Sequence, residues 1–289
     1  MTLDVLVVLA VSVPPGLAWL WFFRRYDTYR PTLLKFVGIT FIAGGISTIP
    51  AGLLEWFLIE DSIFDEGLEF SSIAIQMLAI VGPVEEFSKF AAVGVLTFIF
   101  SKRYINEPAQ GMVLSAAASL GFATVENAVY VIDYGPWVMI GRGPLSTLGH
   151  AIFGAFWGYA LALHLMSGRK RPWLVVGGLA SAATVHALFN IGLFLFPLAS
   201  LALIVLGAVW AISRFRWAKS ASPFRLKRNV PLVACYVCTR LVRSGSKFCR
   251  HCGVEDPDSN QLVQCGNCGG ANAREAKFCV SCGDRFVTA

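Results

Sequence analysis

Seven stretches of mostly apolar residues, each near the length needed to cross a lipid bilayer, constrain this 289-residue chain more than any other feature. A span takes about 20 such residues, because the bilayer core offers no water and every backbone amide must be satisfied within its own helix. The pattern predicts spans near 3–23, 36–59, 73–100, 109–132, 145–167, 173–195 and 198–213. The predicted fold is therefore an all-α polytopic membrane domain over residues 1–213, followed by a non-membrane tail. Composition agrees, since 56% of residues are hydrophobic and 15% charged, and a mean hydropathy of +0.63 lies outside the usual soluble range. Gly82-Pro83, inside the third span, is expected to bend that helix or split it into an interfacial piece and a spanning piece.

Loop charges predict the orientation. Arg24, Arg25, Arg30 and Lys35, then Lys102 and Arg103, then Arg169, Lys170 and Arg171 lie on alternate sides from Glu60, Asp61, Asp65, Glu66 and Glu69, and from Asp133 with Arg142. By the positive-inside rule the N-terminus is outside and the C-terminus in the cytosol of a cell membrane. Asp4, with no basic residue before the first apolar run and an Arg pair after it, marks a retained span rather than a cleaved signal peptide. Arg214, Arg216, Lys219, Arg225, Lys227 and Arg228 fall in an expected linker over 214–232. Beside a span, such a run reads as a topology anchor touching lipid headgroups, and a nucleic-acid partner is not inferred from it.

All eight cysteines lie in the tail. Cys235-x2-Cys238 with Cys249-x2-Cys252 returns as Cys265-x2-Cys268 with Cys279-x2-Cys282, each cysteine thirty residues after its counterpart. Lys247-Phe248 and Lys277-Phe278 repeat as well, as do Gly253 and Gly283. Paired CxxC knuckles supply the four-sulfur shell that zinc prefers, so two zinc ribbons are expected, over 233–254 and 263–285. A disulfide framework is the competing reading, and the reducing cytosol disfavours it. Modules this small bury little core, so metal binding must supply their folding energy, and a closed shell makes both zincs structural. His251 is read as a surface residue, and the ribbons as binding an unidentified partner.

Asp4 and Glu55 fall near span ends. The other ionisable residues within the apolar segments are harder to accommodate: Glu85, Glu86 and Lys89 on the third, Glu126 on the fourth, His150 on the fifth and His186 on the sixth. A charge near a span centre costs roughly 2.5–3.5 kcal/mol, so compensation is required. Helical spacing lets Lys89 pair with Glu85 or Glu86 and places Asn190 one turn below His186. Small residues around these positions, among them Gly82, Gly121, Gly154 and Ala183, allow the helices to approach closely. His164, isolated in its span, reads as packing. A buried network that only fixes helix packing would explain any one of these residues alone, whereas the whole set marks chemistry or ion movement.

Glu85-Glu86-Phe87-Ser88-Lys89, Gly121-Phe122-x3-Glu126-Asn127, His150-x3-Gly154 and His186-x3-Asn190 resemble, in order and spacing, the four motifs of the PrsW family of intramembrane proteases. That family belongs to the broader group containing the CAAX-prenyl and Abi proteases. The resemblance covers roughly residues 70–195 and leaves out the tail, which resembles the double zinc ribbons appended to many prokaryotic membrane proteins. It implies peptide-bond hydrolysis within the membrane, with Glu85, Glu86, Lys89, Glu126, Asn127, His150, His186 and Asn190 as site residues. Membrane-anchored proteins such as anti-sigma factors, or peptides to be processed, are the substrates it implies.

Two mechanisms remain open at this level. In one, His150, His186 and Glu126 hold a catalytic zinc or other divalent ion and Glu85 is general base, with Glu86 exchangeable for either carboxylate role. In the other, Glu85 activates water without metal, and the histidines with Asn190 stabilise the oxyanion. Two alternatives of other classes are an ion, proton or metal transporter using the same cluster, and a non-catalytic scaffold acting through its ribbons. Transport favours inverted repeats and a second polar layer, and neither is visible in the sequence.

Overall fold

The computed structural model describes residues 4–29, 31–59, 70–100, 104–166, 171–222, 232–243, 246–249, 251–255, 262–273, 278–279 and 281–285. Several charges used above lie outside them: Arg30, Glu60, Asp61, Asp65, Glu66, Glu69, Lys102, Arg103, Arg169, Lys170, Arg225, Lys227, Arg228 and Lys277. The chain divides into two compact units, a helical one and the cysteine-rich tail.

The helical unit contains α1 (Val5–Arg24), α2 (Leu34–Ile46), α3 (Thr48–Leu58), α4 (Phe70–Gln76), α5 (Gly82–Phe100), α6 (Pro108–Tyr134), the short α7 (Met139–Gly141), α8 (Thr147–Met166), α9 (Pro172–Leu195) and α10 (Pro197–Ala221). Grouped into continuous runs, these make seven helices long and apolar enough to cross a membrane. Proline at the first position opens α6, α9 and α10, where a missing N–H costs nothing. Pro50 near the start of α3 withholds the amide that Ile46 would have bonded, and the α2–α3 run breaks at Ser47.

The centre is α6. Of its most apolar window 78% is buried, and of that of the α7–α8 run 67%, against 22–28% for the other five, so those five form the lipid-facing wall. Alanine, glycine and serine on α6 let its neighbours touch backbone. A Cβ on Gly121 would overlap the carbonyl oxygen of Phe41 on α2, and one on Gly158 would overlap the Ser115 side chain of α6. The site residues lie on α5, α6, α8 and α9, which pack against one another.

The split expected at Gly82-Pro83 does not occur. Phe70–Phe100 is one helical run in which Met77–Val81 forms a π turn, with the Gly82 amide bonded to Met77 O. Pro83 has no N–H to return to the carbonyl one turn back, and the wider turn absorbs the defect. The same device recurs at Arg142–Ser146, around Pro144, where the Thr147 amide bonds Arg142 O. These π turns immediately precede the helices bearing Glu85 and His150.

The expected end of the membrane domain at 213 needs correction, because α10 continues to Ala221 through the first part of the presumed linker. Phe215 and Ala218 extend the face begun by Ala211, and Phe215 stacks on Tyr26 with centroids 4.9 Å apart. Apolar residues at helical spacing thus hold Arg214, Arg216 and Lys219 in a helix.

In the tail, β1 (Leu232–Ala234) pairs antiparallel with β2 (Leu241–Arg243), and β3 (Leu262–Gln264) with β4 (Ala271–Ala273). Each CxxC turn closes with the amide of the following residue on the carbonyl of its first cysteine, at 2.8 Å in all four cases. Those closing residues, Thr239, Gly253, Gly269 and Gly283, all have positive φ, so Thr239 takes a backbone that favours glycine.

Candidate active site

Helical spacing brings the first three site residues together. Lys89 Nζ donates to Glu85 Oε2 at 3.0 Å and Glu86 Oε1 at 2.8 Å, lies 3.0 Å from His150 Nδ1, and sits 4.2 Å above the Phe122 ring. Its three N–H bonds are thereby used, which is what permits an ammonium buried on every side.

Carboxylates fix the histidines from outside. Glu86 Oε1 is 3.0 Å from His186 Nδ1, and Glu126 Oε2 is 2.9 Å from His150 Nε2. An ionised carboxylate only accepts, so the proton of each ring belongs on the nitrogen facing it. The lone pairs then lie on His186 Nε2 and His150 Nδ1, which are 3.8 and 4.0 Å from Glu85 Oε2. Phe153 stacks on the His186 ring at 5.0 Å and limits its rotation.

One donor atom from each of Glu85, His150 and His186 lies within 4.8 Å of the others. Zinc–ligand bonds near 2.0–2.2 Å set tetrahedral neighbours about 3.4 Å apart, so the donors would have to draw together and Lys89 give way for the cluster to hold such an ion. Of the ring nitrogens pointing away from it, that of His186 bonds Glu86 and that of His150 lies 2.9 Å from Glu126, and such carboxylates are the usual outer support of a metal-bound imidazole. The residues fit a divalent ion.

Several of the expected site residues lie apart from the converging set. Glu126, expected as the third ligand, lies on the opposite edge of the His150 ring from Glu85 and outside the converging set. Glu86, expected to be exchangeable with Glu85, is closed off: besides Lys89 and His186, it accepts the Trp157 indole N–H on Oε2 at 3.0 Å. Asn127 donates to Thr147 Oγ1 and accepts from Arg142 Nε, both at 2.9 Å. Asn190 lines a cavity of about 680 Å³ together with Glu85, Glu126, Arg142, Tyr130 and Glu55. His164 stands apart, accepting the Arg171 amide at 3.1 Å.

Arg142 is the residue that sequence reasoning missed. Read there as a loop charge, it is carried inward by the second π turn. Its guanidinium lies 2.9 Å from Glu126 Oε1 and 3.6 Å from the Tyr130 ring centroid. Trp157 was missed too, since an indole in an apolar helix carries no sign of a buried carboxylate partner. The Gly-Pro pairs at 82–83 and 143–144 were the available signal for a helix opened beside the site.

In the tail, Sγ–Sγ distances are 3.8 Å for Cys235–Cys252, 3.7 Å for Cys238–Cys249, 3.7 Å for Cys265–Cys282 and 3.5 Å for Cys268–Cys279. Disulfides need about 2.05 Å, whereas a tetrahedron of 2.3 Å zinc–sulfur bonds gives about 3.8 Å. Each set of four converges, and His251 is exposed outside its set, its amide directed at Cys249 Sγ.

Comparison with known families agrees with this geometry. Residues 32–215 match the family described as PrsW family intramembrane metalloprotease, a stretch that holds every helical site residue above. The chain belongs to the PrsW family. It is an integral membrane protein and an intramembrane peptidase, which sets aside the transporter and scaffold alternatives. Residues 235–283 match the double zinc ribbon family. Similar proteins include Protease PrsW of Halalkalibacterium halodurans, 28% identical over 186 residues, covering 63% of this chain and 81% of the relative. Protease PrsW of Geobacillus kaustophilus is 27% identical over 63% of this chain and 78% of its own, and that of Bacillus subtilis 25% over 58% and 75%. No solved structure matches.

Proposed function

We propose that this PrsW-family peptidase cleaves membrane-anchored proteins at Glu85, with His150 and His186 beside it and Asn190 facing the scissile carbonyl. The reading rests on one observation: Glu86 bonds the outer nitrogen of His186 and Glu126 lies 2.9 Å from that of His150, which leaves the inner nitrogens 3.8 and 4.0 Å from Glu85 on the wall of a cavity. Lys89 donates to Glu85 Oε2, which leaves Oε1 to take a proton from water. The Asn190 amide can donate to the oxyanion as it develops. Glu86 and Glu126 hold the tautomers, and Arg142 holds Glu126.

Glu85, His150 and His186 would hold the metal that the family description names. A divalent ion there supplies Lewis acidity and brings the pKa of water to about 7. A metal-free reading has its own support, because the Lys89 ammonium already bonds two of the three donors, Glu85 Oε2 and His150 Nδ1. Metal content of the full-length protein separates the two. With one zinc per ribbon, the metal reading expects three ions per chain, falling to two in His150→Ala and in His186→Ala. The metal-free reading expects two in all three proteins, with cleavage still lost in the variants.

The loop charges support an external N-terminus and cytosolic ribbons. In that arrangement Glu55 and the cavity lie toward the external face, and the ribbons are available to a cytosolic partner.

A further inference from the structure

Glu55 lies on α3 and lines the same cavity as Glu85. The other carboxylates of the site are committed: Glu85 and Glu86 to Lys89, Glu126 to Arg142 and His150. Both nearby cations are committed with them. Glu55, by contrast, has no ion-pair contact among the described residues, and its Oε1 is sealed from solvent without a hydrogen-bond partner. Its donor atoms are also outside the set that converges with the histidines. A carboxyl group left without a partner inside a membrane domain is unfavourable, and such residues generally mark the place of a ligand.

The walls around Glu55 say what kind of ligand. Ile59, Met77, Val125, Val129 and Leu193 make them largely apolar. A long aliphatic stem ending in a cation fits a cavity with greasy sides and one carboxyl group that no cation already holds, and lysine and arginine side chains have that form. We propose that Glu55 is a specificity determinant that receives a lysine or arginine side chain of the substrate, so that the enzyme prefers peptides with a basic residue at one fixed position from the cleaved bond. This rests on the reading that Glu85 performs hydrolysis in this cavity.

The test uses the full-length protein in detergent micelles and fluorogenic membrane-segment peptides. Each position around the cleaved bond carries in turn lysine, its uncharged analogue norleucine, or glutamate. At one position kcat/KM for the lysine peptide should exceed that for norleucine by on the order of tenfold or more. That ratio should fall to about one in Glu55→Gln, and Glu55→Lys should invert the preference toward glutamate. Equal rates for lysine and norleucine at every position, or a lysine preference that survives Glu55→Gln, would overturn the proposal while leaving the peptidase mechanism intact. A carboxyl that merely donates to a peptide carbonyl gives that first result. Absence of any Glu85-dependent cleavage would overturn the mechanism and this inference together.

Discussion

Glu126 Oε2 lies 2.9 Å from His150 Nε2, across the ring from the edge that faces Glu85. A carboxylate in that position orients the ring and fixes its proton, as outer-shell partners of catalytic or metal-bound imidazoles do. Glu126→Gln reverses the bond when its amide N–H meets Nε2, which favours the other tautomer and moves the proton to Nδ1. Activity should fall about 10- to 100-fold with little change in the thermal midpoint, as followed by peptide cleavage and thermal unfolding.

Arg142 acts through Glu126 and Asn127. Arg142→Ala should approach the loss seen in Glu126→Gln, and Arg142→Lys should restore part of it, since an ammonium keeps the charge without the two-pronged geometry. The double variant Glu126→Gln/Arg142→Ala should be little worse than either single one, because the two residues act as a unit. Additive losses in kcat/KM would assign Arg142 a separate role.

Among the described residues, Lys89 is the cation that pairs with both Glu85 and Glu86. Lys89→Met leaves two buried carboxylates facing each other and should destabilise the helical unit by about 3–5 kcal/mol. The readout is the midpoint of thermal unfolding in detergent, which should drop far more than in Glu85→Gln.

Zinc removal should separate the two parts of the chain. Chelation is expected to unfold both ribbons while the helical signal persists, as seen by far-ultraviolet circular dichroism and protease sensitivity of the tail. Burial raises the Cys249 and Cys279 thiols, but amides two and three residues on pull them down to about 6, below the free-thiol value of 9.0. Those two thiolates are therefore favoured at neutral pH, and because zinc competes with protons for all four sulfurs of each set, zinc retention should weaken as pH falls. Thr239→Gly, at the one knuckle closed by a non-glycine residue, should strengthen the first ribbon by roughly 1 kcal/mol.

The helices and the residues of the candidate site were readable in the sequence for the same reason. Lipid forbids unpaired polar groups, so apolar runs announce spans, and Glu85, Glu86, Lys89, Glu126, His150 and His186 stand out within them. Partner choice was not readable. Whether Glu85 or Glu126 faces the inner edge of His150 depends on how α5, α6 and α8 rotate against one another, and glycine and alanine contacts on α6 set those rotations. Arg142 looked like a loop charge because nothing in linear spacing shows that a π turn will carry it inward. Glu55 looked like a span end because its depth matters less than the cavity it faces. The helical continuation through Phe215 and Ala218 was masked by the charges between them.

The central claim is that Glu85, not its neighbour Glu86, meets the water that attacks the peptide bond. Single-turnover cleavage by Glu85→Gln, compared with wild type at matched thermal stability, tests it most directly. A loss of on the order of a thousandfold is expected, within the range for removing a general base. Near-normal cleavage by a folded Glu85→Gln protein would contradict the account.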